Sequence, residues 1–567
     1  MRRAGLHGAA GHGAALMAGL ILWACLSAAP PAEAQEPPAV SPEVAAAAER
    51  RPEPNQLQQW MDAVFGRING VLAKVLFFSI TGDLIKVGEV DAAGEPVVDP
   101  ATGEPKVRVV PVPLIVLVLL FGGIFFTFWF KWINVRGFKH AIDVTRGRYD
   151  DPKDTGEVSH FRALTSALSA TVGLGNIAGV AIAIQLGGPG AVFWMWLGGL
   201  FGMTSKFNEC TLAQMYRRVN PDGSISGGPM FYLDLGLRQK GGGWRPLGKL
   251  LAVFYAFMIM GGAVGGGNMF QSNQSWEAIH LTFNISANAG WIYGLLMAFL
   301  VALVVVGGIR RIGAATSRIV PFMCGLYVLT SIYVIVIHWR DVPATFGLIF
   351  RLALTDNAFY GGLFGVMVMG IRRATFSNEA GLGSAAIAHA AAKTEEPVRE
   401  GIVALLEPFI DTIVVCTMTG LVVIITGVWD DQVLVAEGAD IGATITTEAF
   451  RSVLPVFPYI LAACIFLFAY STMISWCYYG ERGWIYLLDH LGGRGLRTVI
   501  VFRLIFVSFV FIGAVTKLSA VLDFSDMVIL CLAFPNIIGG LILAPVTLRK
   551  VQDYWDRYAS GRMIPWR

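Results

Sequence analysis

Eleven long apolar segments constrain this chain more than any other feature. They lie at about 111–133, 164–187, 191–215, 250–272, 291–308, 318–338, 360–391, 401–427, 457–479, 500–520 and 527–547. Each is long enough to cross about 30 Å of hydrocarbon as a helix. The rest of the chain cannot coat a soluble protein: 15% of its 567 residues are charged, against about 25% in a soluble domain. With 55% hydrophobic residues and 65 glycines, the chain is expected to be an all-α polytopic membrane protein of about 11 spans. Disorder, a coiled coil and a disulfide scaffold are excluded, and a net charge of +3 offers no footprint for nucleic acid. None of the seven cysteines forms a CxxC pair, so they read as small buried hydrophobes.

Basic residues set the expected orientation. Residues 1–34 read as a secretory signal, with Arg2 and Arg3, an apolar stretch Ala14–Ala28 and an Ala32-Glu33-Ala34 cleavage site; a retained anchor is the alternative. Residues 35–110 form a periplasmic leader, with an amphipathic helix over 56–80 carried by Leu57, Trp60, Met61, Val64, Phe65 and Ile68. The polar stretch 82–110 reads as a small hairpin or loop. Alternate connections among the spans hold 27 Lys and Arg, the opposite ones four. By the positive-inside rule the C-terminal tail, 548–567, is cytoplasmic and the start of the first span periplasmic.

Two segments depart from a plain apolar run. One reads Thr171-Val-Gly173-Leu-Gly175-Asn176-Ile-Ala-Gly179; the other reads Gly370-Ile-Arg372-Arg373-Ala-Thr375-Phe376-Ser377-Asn378-Glu379-Ala-Gly381-Leu-Gly383-Ser384. Unwound backbone at membrane depth survives only where protein or a cavity satisfies it. Freed N–H groups suit a carboxylate, and freed carbonyls suit Na⁺. The bland alternative is that these glycines only allow close helix packing. With the first span (111–133) set aside, one interrupted segment opens a five-helix set at 164–338 and the other opens a second at 360–547. Five is odd, so the second set runs inverted, the layout of a carrier with a midplane site.

At these residues the sequence resembles the alanine/glycine:cation symporter family, the sodium:alanine symporters. The matching stretches include Ser159-His-Phe-Arg-Ala-Leu, Gly187-Gly-Pro-Gly-Ala-Val-Phe-Trp-Met-Trp196, Gly227-Gly-Pro-Met-Phe-Tyr232, Gly267-Asn-Met-Phe-Gln-Ser-Asn273, Leu406-Glu-Pro-Phe-Ile-Asp411 and Tyr479-Gly-Glu-Arg482. The resemblance implies a leucine-transporter-type fold, a 5+5 inverted repeat with one extra N-terminal transmembrane helix. It implies Na⁺-coupled uptake of a small neutral amino acid, alanine or glycine, across a bacterial inner membrane, with Na⁺ as coupling ion and no cofactor. Substrate would lie at Gly173, Gly175 and Asn176 on one side and Gly370, Phe376 and Ser377 on the other. Gln271 would reach it, with Thr472 beside it and Trp476 as a wall. Ser471 and Thr472 would hold Na⁺ with backbone oxygens near Ala170 and Gly173. Leu174 stands where family members often carry Thr, so only backbone contacts are expected from 173–176.

Ionisable groups left in the apolar segments are Lys206, Glu209, Arg372, Arg373, Glu379, Glu407 and Asp411. They read as a gate or ion-pair network, with Arg372 or Arg373 neutralising Glu379 and with Glu407 and Asp411 sharing one helix face. Proton coupling and direct capture of the substrate carboxylate by Arg are the other readings. A proton-coupled carrier is the alternative within the transporter class. A membrane-embedded enzyme lacks support: there is no H-E-x-x-H, no P-loop and no His pair at metal spacing, and His389 alone lies near an interrupted helix. A channel fits inverted broken helices less well than a carrier.

Overall fold

The computed structural model describes residues 112–354, 362–430, 442–516 and 518–563, apart from positions 491 and 494, together with 78, 86–88, 107–109 and 565. The expected signal (1–34) and the amphipathic helix over 56–80, save position 78, lie outside the described residues. Within the polar stretch 82–110, Lys86–Gly88 pairs antiparallel with Val107–Val109, in keeping with the expected hairpin.

Arg218–Val219 and Ile225–Ser226 form a second short antiparallel pair, and the remaining long elements among the described residues are helices. The elements that position the site are α1 (Leu114–Trp129), α2 (His160–Thr171), α3 (Ala178–Gly187), α4 (Ala191–Met215), α5 (Pro229–Lys240), α6 (Trp244–Val264), α7 (Phe270–Thr282), α8 (Gly290–Val305) and α9 (Gly308–Ile337). They continue with α10 (Gly362–Asn378), α11 (Pro397–Ala404), α12 (Thr417–Ile425), α13 (Phe457–His490), α14 (Gly495–Val515), α15 (Leu518–Cys531) and α16 (Ala533–Ala559). A helix occupies each of the eleven apolar segments. Among the described residues seven helices are long and apolar enough to cross a membrane, and eight if the bent pair α2 and Leu174–Gly187 counts as one span. The protein is therefore a multi-pass membrane protein, and eleven crossings is a reading of its sequence pattern.

The 34-residue α13 is the pillar of the molecule: α2, α6, α7, α9 and α14 all pack on it. It is buried along most of its length. By contrast α8, α9 and α14 show exposed Leu, Phe, Ile and Val faces such as Leu295, Phe299, Leu329 and Leu504, the inverse of a soluble helix and suited to lipid. Two π-helical turns interrupt the regular ladder, at Gly265–Met269 and at Phe409–Cys416. Each inserts between α-helical stretches and re-aims the side chains that follow it.

Candidate functional site

The first break forms where the sequence removes side chains. Helix α2 starts on Ser159, whose hydroxyl accepts from the Arg162 N–H, and ends at Val172 (ψ 90°). Gly173 is extended (φ −138°, ψ −154°), Leu174–Asn176 make one 3₁₀ turn, and the chain resumes 59° off its first direction. Glycine is required at 173 by proximity: a Cβ there would stand 2.8 Å from Thr472 Oγ1 and 3.4 Å from Gln271 Oε1. Three residues distant in sequence therefore converge on one point of bare backbone. The freed amides are satisfied locally. Gly173 N–H donates to Asn176 Oδ1 (2.9 Å) and Leu174 N–H to Gln271 Oε1 (3.4 Å). Gln271 Nε2 donates to Gly266 O within the π turn (3.1 Å).

The α13 hydroxyls divide between two directions. Thr472 Oγ1 donates to Ser169 O (3.0 Å) and so lies against the end of α2 beside Gly173. Ser471 turns away: its hydroxyl donates to Phe468 O (3.0 Å) and meets Met323 Sδ (3.4 Å), while its carbonyl accepts from Ser169 Oγ (2.6 Å). Of the residues expected to hold Na⁺, Gly173 and Thr472 come together, Ala170 is buried near the end of α2, and the Ser471 hydroxyl is engaged elsewhere. Ser169 and Ser475, linked at 3.0 Å, belong to the same polar seam. Sequence spacing gave one signal for Ser475, its position four residues from Ser471.

The second break lies further along than the sequence suggested. Helix α10 runs without interruption through Gly370–Ser377, so Gly370 is no backbone opening. It is a packing glycine: a Cβ there would stand 2.5 Å from Ala191 O on α4. The chain unwinds at 379–384 instead, where Glu379 (φ 55°), Gly381 (φ 84°) and Gly383 (φ 79°) take left-handed conformations. Phe376 and Ser377, on the last turn of α10, do face the first break: a Cβ on Gly175 would lie 3.4 Å from Phe376 Cδ1 and 3.5 Å from Ser377 Cα.

Asp411 joins the two. Its carboxylate accepts from Asn176 Nδ2 (2.7 Å), Ser377 Oγ (2.7 Å) and Thr412 Oγ1 (2.9 Å), a donor set that compensates a buried anion. Asn378 Nδ2 extends the seam to Thr412 Oγ1 (2.9 Å). Trp476, one turn beyond Thr472, lies flat against Gly267, where any Cβ would collide with its ring. Its Nε1 donates to Glu379 Oε1 (3.1 Å), and Glu379 also accepts from Ser384. One face of α13 thus touches the first break through Thr472 and the second through Trp476.

Charge pairing differs from the sequence expectation. Arg372 and Arg373 meet Asp526 (2.7 and 3.7 Å) rather than Glu379. Glu407 and Asp411 do not share a partner: Asp411 is held by Asn176, Ser377 and Thr412. Glu407 pairs instead with Lys206 on α4 (3.0 Å). From that pair a row of buried groups runs back: Glu407 Oε2 faces His389 Nε2 (3.5 Å), His389 Nδ1 bonds Glu400 Oε1 (2.6 Å), and Glu400 Oε2 bonds His160 Nδ1. His160 Nε2 then faces Asp150, whose side chain is 40% exposed (3.8 Å). Sequence reading missed Asp526, His160 and Glu400: the Arg372–Asp526 and His160–Glu400 partners lie 154 and 240 residues apart, and even His389 and Glu400, 11 apart, meet at no helical spacing. Among the described residues no group of three or more His, Cys, Asp or Glu could hold a metal ion.

Comparison with known proteins shows the family to which the chain belongs. Residues 104–565 match the model of the sodium:alanine symporter family. The sodium/alanine symporter AgcS of Methanococcus maripaludis is 40% identical over 444 residues, covering 78% of this chain and 94% of that one. A transporter of Haemophilus influenzae is 41% identical over 449 residues (78% and 93%), and the amino-acid carrier protein AlsT of Bacillus subtilis is 31% identical over 443 (77% and 89%). The chain belongs to the sodium:alanine symporter family. It is a transporter and not an enzyme.

Proposed function

We propose, with family membership as the premise, that this protein carries a small neutral amino acid, alanine or glycine, into the cell together with Na⁺ by alternating access. The observation that supports this most is the meeting of Gly173, Gln271 and Thr472 at a break in a spanning helix. Bare backbone, one neutral amide and one hydroxyl suit a zwitterion and a hard cation without adding net charge at membrane depth. Amino acid would lie between 173–176 and Phe376–Ser377, with Gln271 on its polar end and Trp476 beneath it. Na⁺ would lie between Thr472, Gly173 and the carbonyls ending α2, those of Ala170 and Ser169. Ser471 would contribute its hydroxyl only after turning from Phe468 O. Asp411, with three donors on its carboxylate, would hold the two breaks in register, and Arg372, Arg373, Glu379 and Glu407 would belong to the gate. Eleven crossings in a 5+5 inverted repeat after one extra helix, with the C-terminus cytoplasmic and the mature N-terminus periplasmic, complete the reading.

One charge moving inward down about 100 mV supplies about 2.3 kcal/mol, roughly 50-fold accumulation. Purified protein in liposomes is therefore expected to concentrate alanine when Na⁺ is supplied outside, and to stop when K⁺ replaces it. Undiminished uptake in Na⁺-free buffer under a proton gradient would falsify the ion assignment. That second reading, proton coupling, draws on one observation: the row that runs inward from the part-exposed Asp150 through buried His160, Glu400 and His389 to Glu407 and Lys206. Alternating imidazoles and carboxylates can pass a proton along such a row.

A further inference from the structure

A polar cavity lies where α5, the start of α6 and the end of α13 meet. It has a volume of about 370 Å³ and is lined by Asp234 and Arg238 of α5, Arg245, Pro246 and Lys249 at the start of α6, and His490 at the end of α13. Its one carboxylate is occupied: Asp234 accepts from Tyr486 OH (2.9 Å) and faces His490 Nε2 (3.4 Å). Arg238, Arg245 and Lys249 are exposed and form no ion pair with any described residue. Three exposed cations therefore line one cavity against a single, already partnered acid.

The surroundings state what kind of anion fits. Directly along α6 from Lys249 run Leu250, Val253, Phe254 and Phe257, exposed and spaced i, i+3, i+4, i+7, a single apolar stripe leading away from the cavity. Trp244, half-exposed at the turn before it, lies under the Lys240 ammonium at 5.8 Å from the ring centroid, and aromatic side chains of this kind mark the level of the headgroups. A basic cavity at headgroup height, beside an apolar stripe along which an acyl chain can lie, is the pattern of an anionic lipid site. Free phosphate would satisfy the cations but would make no use of the stripe beside them.

We infer that this cavity binds the phosphate-bearing headgroup of an anionic phospholipid, its chains lying along Leu250, Val253, Phe254 and Phe257. The test uses the full-length protein in detergent, with phosphatidylglycerol, phosphatidylcholine of the same chains, or inorganic phosphate added. Bound lipid is read by native mass spectrometry and stability by thermal unfolding. Phosphatidylglycerol is expected to remain bound and to raise the unfolding temperature, less so at high salt. Both effects are expected to be lost in the Arg238→Ala/Arg245→Ala/Lys249→Ala variant and kept in an Arg146→Ala/Lys153→Ala control. These residues are exposed, so the triple variant is expected to fold. Equal retention of phosphatidylcholine, or an unchanged response in the triple variant, overturns the site. A shift with inorganic phosphate alone, with no lipid retained, overturns the lipid assignment in favour of a soluble anion.

Discussion

Two buried polar regions lie side by side in this protein and are built on opposite principles. The region at Gly173, Gln271, Thr472 and Ser377 is made of backbone, amides and hydroxyls, with the single anion Asp411 held by three donors. The region at Lys206, Glu407, His389, Glu400 and His160 is made almost wholly of ionisable groups. Neutral donors and acceptors can exchange partners with a guest at little cost, since each bond lost is replaced by one of similar strength. Buried charges cannot: separating them leaves an uncompensated ion in a low-dielectric interior. The first arrangement suits a site that must fill and empty, and the second suits a joint that moves as a unit or opens only with water.

The sharpest way to break this comparison is to unbalance the charged region. Lys206→Met leaves Glu407 buried without its cation and is expected to destabilise the protein by about 3–5 kcal/mol. Lys206→Met/Glu407→Leu removes both charges and is expected to recover most of that loss in thermal unfolding. If the double variant is no more stable than the single one, the pair is not a compensated ion pair. Its transport also separates the two readings of the region: a scaffold keeps Na⁺-driven uptake, whereas a proton path loses it.

Next in size is the neutral region. Gly173→Ala places a methyl 2.8 Å from Thr472 Oγ1, and overpacking of about 1–3 kcal/mol corresponds to roughly 5- to 150-fold weaker binding of alanine and Na⁺. Unfolding temperature without ligand is expected to fall as well, because the same clash with Thr472 Oγ1 is present in the empty protein. Trp476→Phe removes the donor to Glu379 Oε1 and is expected to cost about 1–3 kcal/mol of stability. The smaller ring is also expected to raise uptake of the next larger amino acids relative to alanine, measured by competition. An unchanged competition profile would mean that Trp476 does not face the substrate.

How much of this was legible in the sequence differs between the two regions. The first break could be read, because Gly173, Gly175 and Asn176 interrupt an apolar run and the cause is local. The second was read too early. Gly370 looks like Gly173 in sequence, but it serves the close approach of α4, and a packing glycine and an unwinding glycine differ only in what lies across from them. The real opening was marked by Gly381 and Gly383, whose left-handed backbone a β-carbon resists. The π turns shift side-chain registry by one residue, which a 3.6-residue pattern cannot express; only the Gly265-Gly-Gly run hinted at the first. The charged row was beyond reach, since Lys206, His160 and Glu400 find their partners through tertiary packing alone.

The smallest expected effect bears most directly on the cation. Thr472 Oγ1 rests against the end of α2 beside Gly173, whereas the Ser471 hydroxyl is bonded to Phe468 O within its own helix. Replacing this hydroxyl by a methyl of the same shape removes the proposed oxygen ligand together with its hydrogen bond to Ser169 O. Thr472→Val is therefore expected to raise the Na⁺ concentration for half-maximal alanine uptake by about fivefold, the equivalent of about 1 kcal/mol. Ser471→Ala is expected to leave it within about twofold, because a Ser hydroxyl bonded back to its own helix contributes little to either state. If Ser471→Ala raises the Na⁺ requirement as much as Thr472→Val, the Ser471 hydroxyl must leave Phe468 O and turn inward when Na⁺ binds. The neutral region would then be a site that forms around its cation, and its contrast with the fixed ion network would be deeper still.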